Sequence, residues 1–110
     1  MFLFQVTSVF VITGRGMVLA GRMEKGAVRV GARVQLRAPG GFIETTIVSI
    51  EKARSIVSSG SAGEELAFLI RGVEPSALIG GVERDKTSGA WQVVSLQVVS
   101  VPKRWWEFWR

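Results

Sequence analysis

The side chains of this chain that could do chemistry are mainly carboxylates and guanidiniums, because the sequence contains neither cysteine nor histidine. Without cysteine there is no thiolate nucleophile and no disulfide, and without histidine the commonest metal ligand and general base is missing. The remaining residue types suggest no nucleophile, base or metal-ligating set. We therefore expect a protein that is not an enzyme and that needs neither a metal nor another cofactor.

Arginine is the residue type that most suggests a binding surface. The 14 Lys and Arg outnumber the 9 Asp and Glu, giving a formal net charge of +5, which suits a polyanionic partner such as RNA or the ribosome. Phe10 and Phe42 are the aromatic residues interleaved with the arginines, and we expect both to point inward, so base stacking is only weakly indicated. The candidate basic patch consists of arginines at turn tips or on the polar side of strands: Arg15, Arg22, Arg29, Arg33, Arg37 and Arg71. The alternative is that these six are scattered, solvated charges.

Short strands joined by glycine turns must position these side chains. Val34 and Leu36 alternate with Gln35, as in a strand of a closed sheet, and no segment carries a long helical stripe of apolar residues. Many short strands with turn signals between them indicate a barrel or a sandwich, and we expect an all-β protein with a closed antiparallel barrel. The β-rich run Ala90–Val101 is predicted to close or extend the same barrel.

Length and composition indicate one domain. The chain has 110 residues, of which 47% are hydrophobic, which is enough for a single modest core. We expect one barrel domain over residues 1–102 and a short aromatic and basic tail over residues 103–110. No run of about 18 apolar residues occurs, so we do not expect a transmembrane helix. We expect a cytoplasmic protein.

Several motifs in a fixed order resemble a known family. The first group is Val9-Phe10-x-Ile12-x-Gly14-Arg15-Gly16, then Val18-x-x-Gly21-Arg22, then Glu24-x-Gly26-x-Val28-x-Val30-Gly31. The second group is Ile50-Glu51-x-x-Arg54, Ser61-Ala62-Gly63-Glu64, Leu69-Ile70-Arg71-Gly72-Val73 and Ile79-Gly80-Gly81. Over residues Phe4–Val82 this order is similar to the second domain, a β-barrel, of elongation factor Tu and related translational GTPases.

The resemblance implies a role for Glu51 and Arg54. In elongation factor Tu this barrel helps to receive the 3′-terminal adenosine and attached amino acid of aminoacyl-tRNA, and the Glu-x-x-Arg pattern contributes to that pocket. A carboxylate accepts hydrogen bonds from ribose hydroxyls, and a guanidinium holds phosphate or stacks on a base. The simpler alternative is that Glu51 and Arg54 are an exposed ion pair or strand-end charges of little energetic weight.

The residues that would hold GTP in such a family are not found in this sequence. A phosphate-binding loop has the form Gly-x-x-x-x-Gly-Lys-Ser/Thr, and none occurs here. The segment Gly14-Arg15-Gly16 is predicted to be a hairpin turn between two strands, with no lysine and hydroxyl pair after it. We therefore expect that the chain does not bind GTP.

The tail carries three of the four tryptophans of the chain. Its candidate contact residues are Trp105, Trp106, Phe108 and Trp109. Aromatic rings are costly to leave in water, so we expect them to dock on their own barrel, on a partner or second copy, or, least expected of the three, at a membrane interface.

Two functions fit these observations. One is a non-catalytic module that binds RNA, the ribosome or a translation factor. The other is a protein-interaction or assembly module that uses the barrel and its tryptophan-rich tail without binding RNA, because a fold does not determine a function.

Overall fold

A computed structural model describes residues 1–101 of the chain. The tail predicted at residues 103–110, with Trp105, Trp106, Phe108 and Trp109, lies outside the described residues. The described residues form eleven strands: β1 Leu3–Ile12, β2 Gly16–Lys25, β3 Ala27–Arg29, β4 Arg33–Ala38, β5 Gly41–Lys52, β6 Ser55–Val57, β7 Ser59–Ser61, β8 Glu65–Ile70, β9 Val82–Arg84, β10 Trp91–Val93 and β11 Gln97–Ser100. A short 3₁₀ turn at Pro75–Ala77 is the one helical element in this part of the chain.

Six of the strands close into an antiparallel barrel. Their order around the barrel is β4, β11, β1, β2, β8 and β5, and β5 pairs back with β4. The long strand β5 makes closure possible because its first half pairs with β4 and its second half with β8. The closed barrel predicted from the glycine-punctuated strands is therefore confirmed.

The run Ala90–Val101 divides into two strands with different partners. Its first part, β10, forms a small ribbon with β9, and its second part, β11, lies between β1 and β4. Because β11 joins these two strands, it completes the ring, as predicted for this segment. A second small ribbon is formed by β3 and β7.

The barrel interior is filled by apolar side chains from every barrel strand. The rings of Phe4 and Phe68 meet near its centre with their centroids 4.3 Å apart. Each barrel strand contributes a side chain with no exposed surface: Phe4, Leu19, Phe68, Ile50, Leu36 and Val98. Since successive residues of a strand point to opposite faces, this packing leaves the alternate residues on the outside, where a binding site must lie.

A bulge in β1 sets which residues reach the outside. The pairing of β1 with β2 shifts register between Val6 and Ser8. Before the shift, Phe4 and Val6 point inward, and after it Val9 does. An extra residue in one strand changes the phase of the inside and outside alternation, so Phe10 is left on the outer face.

Candidate functional site

A small pocket lies on the outer face of the barrel where β1, β2, β5, β6 and β8 meet. Its volume is about 120 Å³, and we call it the Glu51 pocket. Most of its walls are apolar, and its polar groups come from Arg15, Ser49 and Glu51. The remaining lining residues are Phe10, Ile12, Val18, Ile56, Ala67 and Leu69.

Phe10 faces this pocket and is 48% exposed, and Phe42 is 60% exposed. The prediction that both phenylalanines point inward is therefore wrong. The bulge after Val6 turns Phe10 outward, whereas Phe42 stands at the start of β5, opposite Arg37 in the β4–β5 hairpin. The ring of Phe10 thus lines a pocket together with the charged side chains of Arg15 and Glu51. The sequence pattern did not indicate this arrangement.

The outer walls of the Glu51 pocket are unusually apolar for a solvent-facing surface. Ile56 on β6, opposite Glu51, is 76% exposed and lines the pocket at one edge, whereas Phe10 on β1 lines it at the other edge. Apolar walls with a small number of polar groups are typical of small-molecule sites, in which the polar groups fix the orientation of the ligand.

Glu51 and Arg54 occupy different positions relative to this pocket. Glu51 lies on β5, opposite Ala67 of β8 and Ile56 of β6, and it lines the pocket. Arg54 is exposed in the two-residue turn between β5 and β6 and is not among the lining residues. The structure therefore places Glu51 in a pocket and Arg54 at the tip of an adjacent hairpin.

The turn that presents Arg54 has an uncommon backbone. Ala53 has a φ of 50° and Arg54 a φ of 69°, although neither is glycine. A two-residue hairpin turn of the mirror-image type requires positive φ at both positions, which asparagine and glycine adopt most easily. Alanine and arginine here carry a strain of about 1 kcal/mol or more each.

A hydrogen-bonded carboxylate supports the end of β5 next to this turn. One carboxylate oxygen of Glu64 contacts Lys52 Nζ. The other oxygen accepts two hydrogen bonds from Ser61, one from its backbone N–H at 2.6 Å and one from its hydroxyl at 3.0 Å. The hydrogen bond from Lys52, followed by those from Ser61, lowers the pKa of Glu64 from 4.5 to about 2. This network joins the β5–β6 hairpin to the turn before β8.

A second, larger depression adjoins the Glu51 pocket, and Arg15 and Ile12 line both. Its volume is about 1190 Å³. We call it the arginine groove, after Arg15, Arg71 and Arg84, which line it together with Trp91. Its other walls come from the end of β1, the β1–β2 turn, Ile43 of β5 and the segment that follows β8.

The six arginines of the predicted patch are distributed over several elements. Arg15 and Arg71 meet in the arginine groove, where the Nε of Arg71 donates to the carbonyl oxygen of Arg15 at 3.2 Å. Of the others, Arg22 lies in the half of β2 away from this turn, Arg29 on β3, and Arg33 and Arg37 on β4.

The two β4 arginines have partners of their own. Arg33 forms an ion pair with Glu44 at 3.7 Å, and the Nε of Arg37 donates to Gln35 Oε1 at 3.2 Å. The structure therefore brings Arg15 and Arg71 together in one groove and engages Arg33 and Arg37 elsewhere.

Arg84 is a functional candidate that the sequence pattern did not single out. It lies on β9 with its guanidinium carbon 5.5 Å from the centre of the Trp91 ring on β10. Its Nε donates to the carbonyl oxygen of Gly89 at 3.2 Å. The available signal was an arginine near the start of the polar segment Glu83–Gly89 and a tryptophan just after its end, because paired strands place such residues opposite each other.

Two further findings concern ligands and membranes. Within residues 1–101, no group of three or more carboxylates lies close enough together to hold a metal ion. Over the same described part of the chain, the structure contains no helix with the length and apolar character needed to span a bilayer.

Comparison with known proteins identifies the fold. No protein-family model matches the chain. Translation elongation factor SelB from Methanococcus maripaludis, in its apo form, matches 90% of this chain with a TM-score of 0.68 and 24% identity. Bacterial selenocysteine-specific elongation factor EF-Sec matches 90% of it with a TM-score of 0.68 and 22% identity. The chain spans 18% and 14% of the lengths of those two proteins. The fold is therefore that of a β-barrel found in translation elongation factors, which confirms the fold predicted by the sequence resemblance.

Proposed function

We propose that this barrel is a non-catalytic, cytoplasmic binding module of translation that receives the 3′-terminal base of an RNA in the Glu51 pocket. The observation that carries the proposal is the outward position of Phe10 in the pocket that Glu51 also lines. The likeness in fold to translation elongation factors supports a role in the same process. GTP binding and catalysis form no part of the proposed function.

The pocket has the chemistry that a terminal nucleoside needs. The apolar side chains of Phe10, Ile12 and Leu69 offer a surface for the flat base. Stacking of a base on an aromatic side chain contributes about 1–3 kcal/mol. The carboxylate of Glu51 accepts hydrogen bonds from the ribose hydroxyls, and only a 3′-terminal nucleotide offers both its 2′- and its 3′-hydroxyl.

Fluorescence anisotropy with a short, 5′-labelled RNA that ends in adenosine tests this function. Phe10→Ala should weaken binding by about tenfold, which corresponds to roughly 1.4 kcal/mol of stacking energy. Phe42→Ala is the matched control, because Phe42 is also an exposed strand phenylalanine but does not line the pocket. Equal weakening by both variants, or by neither, contradicts the proposal.

The 3′ end itself provides an independent test. An RNA of the same sequence that ends in a 3′-phosphate should bind the wild-type protein less tightly, because the phosphate repels Glu51 and blocks one hydroxyl. Glu51→Gln should reduce this discrimination. If both RNAs bind equally well to the wild-type protein, the pocket does not recognise a 3′ terminus.

An apolar patch supports the second candidate function, a protein-interaction or assembly module. The backbone N–H of Gly40 donates to the carbonyl of Ile79 at 2.8 Å, which holds Ile79 against the β4–β5 turn. Ile79 is 68% exposed, and Phe42 stands on the same hairpin. Exposed apolar side chains are favoured at protein contacts. Light scattering tests self-association by comparing the wild-type protein with the double variant Ile79→Ser, Phe42→Ser. A lower mass for the variant supports this function. Equal monomer masses for the two proteins count against a contact between copies.

A further inference from the structure

We infer that the arginine groove binds the phosphodiester backbone of single-stranded RNA, leading the strand towards the Glu51 pocket. This inference rests on the proposed function, because it assigns a path to the nucleotides that precede the terminal base. The two depressions adjoin each other, since Arg15 and Ile12 line both. A strand whose last base occupies the pocket therefore passes its preceding phosphates along the groove.

Arg71 is held in a position suited to a phosphate. Its Nε is engaged by the carbonyl oxygen of Arg15, whereas its two Nη groups have no hydrogen bond to the described residues. A guanidinium fixed through one nitrogen loses less conformational entropy when it binds a ligand. The two remaining nitrogens form the planar fork that matches a pair of phosphate oxygens.

Arg84 repeats this arrangement on another element. The carbonyl oxygen of Gly89 engages its Nε, and the ring of Trp91 lies against the guanidinium. Its Nη groups likewise have no partner within the described part of the chain. Two arginines on different elements are thus fixed through Nε in the same groove with their outer nitrogens available.

The charge balance of the groove favours an anion. Three arginines line it, and Glu74 is the one carboxylate among the lining residues of the described chain. The ion pairs found within residues 1–101 are Arg33 with Glu44 and Lys52 with Glu64, so none neutralises an arginine of the groove. These positive charges face solvent without a counter-ion from the described protein, as in a surface that binds a polyanion.

The wall of the groove admits a close approach of a nucleic acid backbone. At Gly14 and Gly72 a side chain would meet no atom within 4 Å, so the backbone there borders open space. A single-stranded RNA is favoured over an acidic peptide, because the apolar pocket that continues from the groove suits a base and not a carboxylate side chain.

The salt dependence of RNA affinity tests this inference. The probe is a series of 5′-labelled RNAs of one to six nucleotides that end in adenosine, measured by anisotropy between low and moderate salt. Arg71→Gln with Arg84→Gln should reduce the slope of log affinity against log salt by about 0.7 for each phosphate that the variant no longer neutralises, or roughly 1.4 in total. The gain in affinity with RNA length should shrink in the same variant.

A charge-matched variant provides the control. Arg22→Gln with Arg29→Gln removes the same net charge from residues that do not line the groove, and it should leave most of the slope unchanged. Equal slopes for the two double variants would overturn the inference, because binding would then depend on net charge alone. If the double variant unfolds, two single variants replace it. Arg84→Gln, at an exposed hairpin position, should lower the slope by about 0.7, whereas Arg71→Lys keeps the charge and should leave the slope unchanged.

The failures of the inference and of the proposed function are distinguishable. If Phe10→Ala weakens binding but the groove variants do not, the pocket binds RNA and the inference about the groove is wrong. If the groove variants alone change binding, the groove holds phosphate and the terminal-base function is wrong. A poly-glutamate peptide is the competitor. If it binds as tightly as RNA of equal charge and with the same sensitivity to the groove variants, the groove is a site for acidic peptides and the inference is overturned.

Discussion

Arg71 donates a hydrogen bond from its Nε to the carbonyl oxygen of Arg15, at 3.2 Å, across 56 positions of the sequence. This contact joins the end of β8 to the turn between β1 and β2. Arg15 in turn lines both the arginine groove and the Glu51 pocket. One hydrogen bond therefore connects the elements that form the two depressions.

Acid should weaken the fold through Glu64. The pKa of this carboxyl is lowered to about 2 in the folded chain from an ordinary value of 4.5. Because the folded value is the lower one, the ionised network stabilises the protein above pH 4.5, and this stability is lost as the pH falls towards 2. Urea midpoints measured from pH 6 to pH 2 should decline in this window.

The variant Glu64→Gln isolates this carboxyl. It should show a smaller decline over the same pH range, because the side chain no longer titrates. Glu65→Gln, at the exposed next position, should decline as the wild type does. Parallel curves for wild type and Glu64→Gln would show that other groups cause the acid sensitivity. High salt should also reduce the contribution of this surface network.

Relief of the strained turn should stabilise the protein. Ala53→Asn with Arg54→Gly supplies the residues preferred at positive φ, and we expect a gain of about 1–2 kcal/mol in the free energy of unfolding. Gly63→Ala is the reverse control, because Gly63 has a φ of 89° and open space around the added carbon. It should cost about 1 kcal/mol. Chemical denaturation measures both, and no gain in the first variant would mean that the turn is unstrained.

The glycine opposite the bulge of β1 should be sensitive to substitution. A Cβ at Gly21 would lie 2.0 Å from the carbonyl oxygen of Gln5, which is backbone and cannot move aside by rotating a side chain. Gly21→Ala should therefore destabilise the barrel by about 1–3 kcal/mol. Gly14→Ala, where the added carbon meets nothing within 4 Å, should cost about 1 kcal/mol through its φ alone. Equal thermal shifts for the two variants would contradict the close approach at Gly21.

The two phenylalanines at the barrel centre should dominate the stability of the core. Phe68→Ala or Phe4→Ala should each cost about 3–5 kcal/mol, because both rings are fully buried and in contact. Phe42→Ala, at an exposed position, should change stability by about 0.5 kcal/mol or less. Denaturant midpoints compare them directly. A small effect at both buried sites would mean that the core repacks around the cavity.

The amino-acid sequence by itself determined the class of fold. Apolar alternation in β4 and the glycine turn Gly14–Gly16 are local signals, and they predicted both the strands and the hairpin between them. The run Ala90–Val101 was predicted to close the barrel, and β11 does so. Such features are readable because the backbone conformation of a few adjacent residues decides them.

The tertiary structure decided the composition of the site. The direction of Phe10 depends on a register shift against β2 at Val6, and a one-residue shift exchanges the inner and outer faces of a strand. The meeting of Arg71 and Arg84 with Arg15 depends on the pairing of β2 with β8 and on the ribbon that carries Arg84. These contacts form only when separate strands pair, so the local sequence pattern cannot predict them.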